Sequence, residues 1–120
     1  MDRPITVTEA AVVRWLLDHA AMGEISAYAS QAPEKLRVVG GCGCGCVSLD
    51  FLPKASGGKI IADALAVYPD GREAGLILWG RGGEIASLEV YDHHPDASHR
   101  PLELAHLRTW EQRGELDRQR

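Results

Sequence analysis

Long apolar stretches are absent from this sequence of 120 residues. A helix that crosses a bilayer needs about 20 consecutive apolar residues, and no segment approaches that length. The first residues, Met1 to Pro4, also lack the basic and apolar regions of a secretory signal. We therefore predict a cytoplasmic protein that does not bind membranes.

Basic residues are in the minority. Thirteen Lys and Arg stand against seventeen Asp and Glu, which gives a net charge of −4. Nucleic acids and anionic lipid surfaces need a basic face that replaces their counterions, so the charge argues against both partners. With 45% hydrophobic and 25% charged residues, the chain has the composition of one globular domain. We place that domain at residues 1–113 and expect the charged segment 114–120 to fray.

Cysteine is scarce and confined to one place. Cys42, Cys44 and Cys46 alternate with glycines, and an odd, clustered set does not form a disulfide framework. On a straight strand the outer two thiols would lie about 13 Å apart, too far to share an ion. A Zn or Cu site therefore requires a curled loop, which the glycines permit. We favour a packing role for these cysteines, with metal binding or thiol redox chemistry as alternatives.

The first expected element is an amphipathic helix over residues 7–22. Its apolar residues recur three and four positions apart, which is typical of a helix with one buried face. Thr6 and Glu9 have the spacing of a capping box, and Gly23 suits the C-terminal stop. A second helical turn is predicted over Glu24–Ser30.

From residue 36 the hydrophobic period changes to 2, which indicates strands over 36–39, 47–51, 59–68, 75–79 and 84–91. The connections between the last three are too short for parallel crossovers, so these strands should form an antiparallel meander. Helical spacing from Leu104 to Arg113 predicts a short C-terminal helix. The expected fold class is α+β, with an N-terminal helix, or two, on one face of a four- to five-stranded, mainly antiparallel sheet.

The loop after the last strand holds three histidines. Adjacent His93 and His94 point in opposite directions on an extended backbone, so they rarely bind one ion. We expect both to be solvated, and a metal site that joins either of them to Cys46 is the alternative.

Two acidic residues, Asp63 and Glu89, interrupt apolar strands. Paired carboxylates on neighbouring strands can perform acid–base chemistry when burial raises the pKa of one of them. We favour a solvent-facing position for both, because the uncovered face of a sheet is polar. Trp15, Trp79 and Trp110 lie in apolar patterns, for which packing in a core or an interface is sufficient.

Two segments resemble a set of small bacterial proteins of unknown function. One is the Cys-x-Cys-Gly-Cys pattern of residues 42–46, and the other is the G-x-I-x-x-L-E-V-Y pattern of residues 83–91. The resemblance covers about residues 8–100 and implies a helix packed on a sheet. It also implies an interaction role of the immunity-protein kind, and it transfers no catalytic residue.

The sequence therefore favours a binding protein without an enzymatic centre, whose acidic surface suits a protein partner or a small ligand. The alternative is a thiol-centred metal or redox protein. A third hypothesis is a small hydrolase or isomerase that uses Asp63, or a cysteine, with a loop histidine. Neither a phosphate-binding glycine loop nor a nucleophile elbow is present in the sequence, and nothing in it requires an oligomer.

Overall fold

A computed structural model describes residues 2–22, 28, 30–41, 47–53 and 58–118, the last three of these by their backbone. Helix α1 spans Val7–His19 and helix α2 spans Trp110–Arg118. Single 3-10 turns lie at Pro33–Lys35, Ala97–His99 and Leu104–His106. The strands are β1 (Arg3–Pro4), β2 (Arg37–Val38), β3 (Gly40–Gly41), β4 (Leu49–Asp50), β5 (Lys59–Val67), β6 (Glu73–Arg81), β7 (Glu84–Asp92) and β8 (Leu107–Arg108).

The main sheet is antiparallel throughout the described strands. Its strand order is β3-β4-β7-β6-β5-β8, and β1 pairs with β2 in a separate two-stranded ribbon. This arrangement confirms the predicted α+β class and the antiparallel meander. The described part of the sheet has six strands, where four or five were predicted. The sequence did not predict β3 and β8, which are two-residue strands at the two edges of the sheet.

Short turns connect the three long strands. Gly82 and Gly83, between β6 and β7, both have positive φ angles (60° and 81°). Such a pair is typical of the type I′ turn, whose twist matches that of the flanking strands. Between β5 and β6, the Tyr68 amide donates to the Arg72 carbonyl at 2.9 Å, and Gly71 has a φ of 85°. The turn residues therefore fix the antiparallel register from both ends of β6.

Helix α1 covers one face of the sheet, which we call the inner face. Thr6 Oγ1 accepts from the Glu9 amide at 3.1 Å, and Glu9 Oε1 accepts from the Thr6 amide at 2.9 Å, so the predicted capping box is confirmed. Each fully buried aliphatic side chain contributes roughly 1.5–3 kcal/mol through the hydrophobic effect. The apolar side chains that meet between α1 and the sheet are Val12, Val13, Leu16, Ala62, Ala64, Leu76, Leu78, Leu88 and Val90.

Helix α1 ends at His19, three residues before the predicted end. The chain then turns to run along β5: the Met22 amide donates to the Ile61 carbonyl at 2.9 Å, and the Asp63 amide donates to the Ala20 carbonyl at 3.2 Å. These bonds satisfy backbone groups of β5 that would otherwise be exposed at the sheet edge. The predicted turn over Glu24–Ser30 lies mostly outside the described residues.

The C-terminal helix is also shifted from its prediction. Leu104 begins a 3-10 turn and Leu107 lies in β8, where it pairs with Ala66. Helix α2 begins at Trp110, after Thr109 and Gln112 form a second capping box with bonds of 2.9 and 3.1 Å. The helical spacing over 104–110 was therefore a misleading signal, and the Thr-x-x-Gln pattern marks the true start.

Candidate functional site

The second face of the sheet, which we call the outer face, differs in chemistry from the inner one. Residues paired across adjacent antiparallel strands share a face, so the register defines its members. They are Gly40, Asp50, Ile60, Asp63, Leu65, Val67, Glu73, Gly75, Ile77, Trp79, Ser87, Glu89, Tyr91 and Arg108.

The two strand carboxylates lie in one row across the outer face. Asp63 on β5 pairs with Ile77 on β6, which pairs with Glu89 on β7. Two strand spacings separate the Cα atoms of the two acidic residues by roughly 10 Å. We call Asp63, Ile77 and Glu89 the central row. Its middle is apolar and half-buried, and its ends are acidic.

An indole N–H orients each carboxylate of the central row. Trp110 Nε1 donates to Asp63 Oδ1 at 3.0 Å, and Trp79 Nε1 donates to Glu89 Oε1 at 2.9 Å. Among the side chains that the structure describes, none donates to the second oxygen, Oδ2 of Asp63 or Oε2 of Glu89. Each carboxylate thus accepts an indole hydrogen bond through one of its two oxygens.

The Tyr91 ring lies across the strand beside the central row. A Cβ atom on Gly75, its cross-strand partner, would come within 2.0 Å of Tyr91 Cζ, so only glycine leaves room for this ring. Burial, together with the charges of Asp63 and Glu89, raises the pKa of Tyr91. The neutral hydroxyl therefore lies within the field of both carboxylates.

Helix α2 covers one end of the outer face. Arg113 donates to both oxygens of the mostly buried Glu73 carboxylate, at 3.0 and 3.3 Å. The His93 ring lies between the rings of Tyr91 and Trp110, with centroid distances of 5.2 and 5.6 Å. These contacts attach α2 at the end of the sheet where β7 finishes.

The other end of the outer face carries partly exposed side chains. We call it the open half, and it consists of Ile60, Asp63, Ile77, Trp79 and Glu89, with Trp110 at its margin. Ile60 is 37% exposed and Trp110 is 43% exposed. Apolar and aromatic surface therefore surrounds the two carboxylates.

The basic side chains at the margins of the open half are engaged with backbone carbonyls. Arg81 donates to the Pro53 carbonyl at 3.1 Å. Arg108 donates to the carbonyls of Ala105 and Leu107 at 2.9 and 2.7 Å. Each of these guanidinium groups thus has at least one backbone carbonyl as a partner.

A separate cavity of about 200 Å³ lies between the start of α1 and strands β4 and β7. Its lining is mostly aliphatic, with Thr6, Thr8 and the charged Glu9 beside the apolar side chains. Arg3 binds both oxygens of that carboxylate at 2.9 Å, and this bond with those of Thr6 lowers the pKa of Glu9 to about 2. The Glu9 carboxylate is therefore a structural group, and the cavity offers less for recognition than the open half.

His93 and His94, which the sequence analysis considered as alternative metal ligands, have separate partners. His94 Nδ1 accepts from the Glu73 amide at 2.9 Å, whereas His93 packs between aromatic rings and lies 3.9 Å from a Glu73 oxygen. In the described ranges, no three His, Cys, Asp or Glu side chains come together as a metal site. Cys42, Cys44 and Cys46 lie outside the described residues, so their packing, metal and redox roles stay predictions.

The sequence identified Asp63 and Glu89 but not their shared row. Neither residue shows by itself that it pairs with Ile77, because that relation depends on the register of three strands. The contribution of Trp79 and Trp110 to the site was missed, since both fit an apolar pattern. One signal was available in the sequence. Trp79 and Glu89 are ten residues apart on either side of a two-residue turn, and such a hairpin brings them onto neighbouring strands.

Comparison with known proteins adds no relative to this picture: no family model, curated protein or solved structure matches the chain. The resemblance to small bacterial proteins stays a prediction. Among the described helices, none has the length and apolar character needed to cross a membrane.

Proposed function

We propose that the protein is a non-enzymatic binding protein and that the open half of its outer face docks a basic protein partner. The observation that carries the proposal is the central row, in which two carboxylates held by indoles flank an accessible isoleucine. The proposal assigns this surface to the role that the sequence predicts.

The composition of the open half supports docking. Protein interfaces are enriched in tryptophan and tyrosine at their centres, and buried aromatic anchors supply much of their binding energy. Trp79 and Trp110 present rings together with the aliphatic side chains of Ile60 and Ile77. Such a group on one sheet face is more than the scattered exposed apolar residues of an ordinary surface.

Charge supports a basic partner. The chain has a net charge of −4, and the open half carries the carboxylates of Asp63 and Glu89. Complementary charge speeds association and excludes like-charged competitors. The finer form of the proposal is an immunity-like inhibitor that blocks a basic target protein in the cytoplasm.

The same geometry favours recognition over proton transfer. Ile77 separates Asp63 from Glu89, so the two carboxyl groups do not share a proton as a catalytic pair does. Each also accepts a hydrogen bond from an indole, which suits an ionised acceptor for a partner's cation.

The test is the capture and reconstitution of a partner. The tagged wild-type chain and its Glu89→Lys variant are exposed to cytoplasmic extract, and a retained protein is identified, purified and titrated by calorimetry. We expect a basic protein whose affinity falls by about tenfold or more in the variant, because the change reverses a contact charge.

Asp18→Lys is the matched control, since it reverses an exposed charge on α1, remote from the outer face. It should leave the affinity nearly unchanged. Equal loss in both variants, or a partner that is itself acidic, would contradict the proposal.

A further inference from the structure

We infer that helix α2 is a displaceable strap on the outer face and that a helix of a partner protein can take its place. The partner helix carries a tryptophan and, three residues later, an arginine, which is the spacing of Trp110 and Arg113 in α2. This goes beyond the proposed function, which concerns the open half. We call the other end of the outer face the covered end, and it consists of Leu65, Glu73, Gly75 and Tyr91.

The Trp110 ring reaches across the covered end. Its Nε1 donates to Asp63 Oδ1 at 3.0 Å, and its ring centroid lies 5.6 Å from that of His93. Asp63 belongs to β5, whereas His93 follows the end of β7, so one side chain joins both outer strands of the meander. An indole combines apolar contact with a directional N–H bond. This position therefore favours tryptophan over an aromatic residue without a donor.

Glu73 makes the covered end selective for a cation. Its side chain is 11% exposed, and Arg113 donates to both of its oxygens at 3.0 and 3.3 Å. Removing the partner of so buried a carboxylate is costly, because its charge is then left without compensation. Displacement of α2 therefore favours an incoming helix that brings its own cation. The two bonds to two oxygens suit a guanidinium, whose planar group matches a carboxylate better than an ammonium does.

The rest of α2 contributes little to its attachment. The helix has nine residues, fewer than the roughly 12–15 that an isolated helix needs to be marginally stable. Gly114 lies in its interior, where a glycine lowers helix stability by about fivefold relative to alanine. A Cβ atom there would meet no atom within 4 Å, so packing does not require the glycine. Such a helix can open locally while the core beneath α1 stays intact.

Charge favours a partner protein over the α2 helix of a second copy. Each copy has a net charge of −4, and an exchange of α2 between two copies would bring two acidic outer faces together. Like charges that meet at an interface are unfavourable. A dimer of the wild-type chain that dissociates in the Trp110→Ala variant would therefore overturn the choice of occupant.

The first measurement is native-state hydrogen exchange of the wild-type chain, followed by NMR. We expect the hydrogen-bonded amides of α2 and the Trp110 indole N–H to exchange at least about 100-fold faster than the amides of β6, because the strap opens while the sheet stays closed. Gly114→Ala should slow the exchange of α2 by up to about fivefold. Equal protection of α2 and β6 overturns the inference.

The second experiment supplies the replacement helix as a separate molecule. The probe is an acetylated and amidated peptide of residues 109–118. It is titrated into the full chain carrying Trp110→Ala and Arg113→Ala, which should remain folded because its inner core is unchanged. We expect saturable binding that shifts the NMR signals of Tyr91 and His93. The wild-type chain should bind the peptide at least about tenfold more weakly, because its tethered α2 competes at high effective concentration. Equal binding to both chains, or no saturable binding to the variant, overturns the inference.

Substitutions in the peptide test each part of the pattern without altering the chain. Arg113→Lys and Trp110→Phe should each weaken binding by about threefold or more, because the first loses the paired bonds and the second loses the indole N–H. Gly114→Ala should strengthen binding by up to about fivefold if the peptide binds as a helix. Glu115→Gln, at an exposed position, is the matched control and should change the affinity less than about twofold. A lysine or phenylalanine peptide that binds as tightly as the parent overturns the inference.

The outcome is separable from that of the proposed function. If the peptide does not bind but Glu89→Lys still weakens a captured basic partner, the strap inference fails and the proposed function is retained. If the peptide binds as expected but the capture experiment contradicts a basic partner of the open half, the proposed function fails and the strap inference is retained.

Discussion

The two faces of the main sheet use the same strands for opposite purposes. Leu76 and Ile77 are consecutive residues of β6: the first is completely buried beneath α1, and the second lies half-exposed between two carboxylates. Alternation alone separates them, since successive side chains of a strand point to opposite faces. One face therefore stabilises the fold, and the other is the face that we propose for recognition.

The two faces nevertheless share one packing feature. Each has a glycine of β6 covered by a tyrosine ring, Gly75 by Tyr91 on the outer face and Gly80 by Tyr28 on the inner face. A Cβ atom would come within 2.0 Å of Tyr91 at the first position and within 2.6 Å of Tyr28 at the second. Glycine thus allows the rings to approach the strand backbone on both sides, whether the ring completes a core or borders a site.

The largest expected contrast comes from truncating the two neighbours on β6. Leu76→Ala should lower the free energy of unfolding by about 3 kcal/mol, because it leaves a cavity in a closed core. Ile77→Ala should lower it by less than about 1 kcal/mol, since its side chain is already partly hydrated. Urea unfolding followed by circular dichroism measures both values. Comparable losses would show that the outer face is as tightly packed as the inner one.

Placing a methyl group at position 75 tests how closely the Tyr91 ring packs on β6. Gly75→Ala should lower the free energy of unfolding by about 2 kcal/mol, because the Tyr91 ring must move. The same change made in a Tyr91→Ala background should cost much less, since the clash is then removed. A double-mutant cycle measured by urea unfolding isolates the interaction free energy between the two positions. If the two substitutions change the free energy of unfolding additively, the contact is refuted.

Glu9, at the start of α1, should contribute to the free energy of unfolding in a pH-dependent way. Because Arg3 and the Thr6 bonds lower the folded pKa of Glu9 from 4.5 to about 2, its stabilisation is present above pH 4.5. That stabilisation is lost as the pH falls through the folded value. At neutral pH, Glu9→Gln should lower the free energy of unfolding by about 0.5–1 kcal/mol, because it removes the charge that pairs with Arg3, whereas the glutamine oxygen can still accept from the Thr6 amide.

The measurement is urea unfolding of the wild type and Glu9→Gln at several pH values. The difference between them should be constant above about pH 5 and shrink towards pH 2. Asp70, whose pKa is also lowered to about 2 by Arg100, is unchanged in the variant and cancels in the comparison. If the difference in free energy of unfolding between the wild type and the variant grows as the pH falls, the assigned role of Glu9 is contradicted.

The smallest effect on stability is expected from the central row itself. Asp63→Asn and Glu89→Gln should change the free energy of unfolding by less than about 0.5 kcal/mol, because both are surface positions and the indole bonds can persist. Thermal unfolding monitors this directly. A substantial loss in either variant would assign that carboxylate to the fold instead of to recognition.

The inner face could be predicted from the sequence because its signals are local. The period of α1, its Thr6–Glu9 capping box and the alternation along β5 and β7 each involve neighbouring residues. These patterns were sufficient for the fold class and for the approximate bounds of the long strands.

The outer face could not be predicted in the same way. Register irregularities between Ile60 and Ala62, and between Trp79 and Gly80, shift the alternation, so counting by twos does not show which residues share a row. The Trp110–Asp63 bond joins residues 47 positions apart. β8 is only two residues long, and its partners on β5 are remote in sequence. These relations are properties of tertiary pairing.

The short turns at both ends of β6 have a consequence for how the molecule forms. Loops of a few residues cost little closure entropy, and contacts between sequence neighbours assemble quickly. Strands β5, β6 and β7 should therefore associate early, before α2 completes its docking. Asp63, Ile77 and Glu89 all belong to these three strands, so the row is set at the start of folding. Trp110 arrives later and completes the pair of indoles, which makes the finished surface a marker of the fully folded chain.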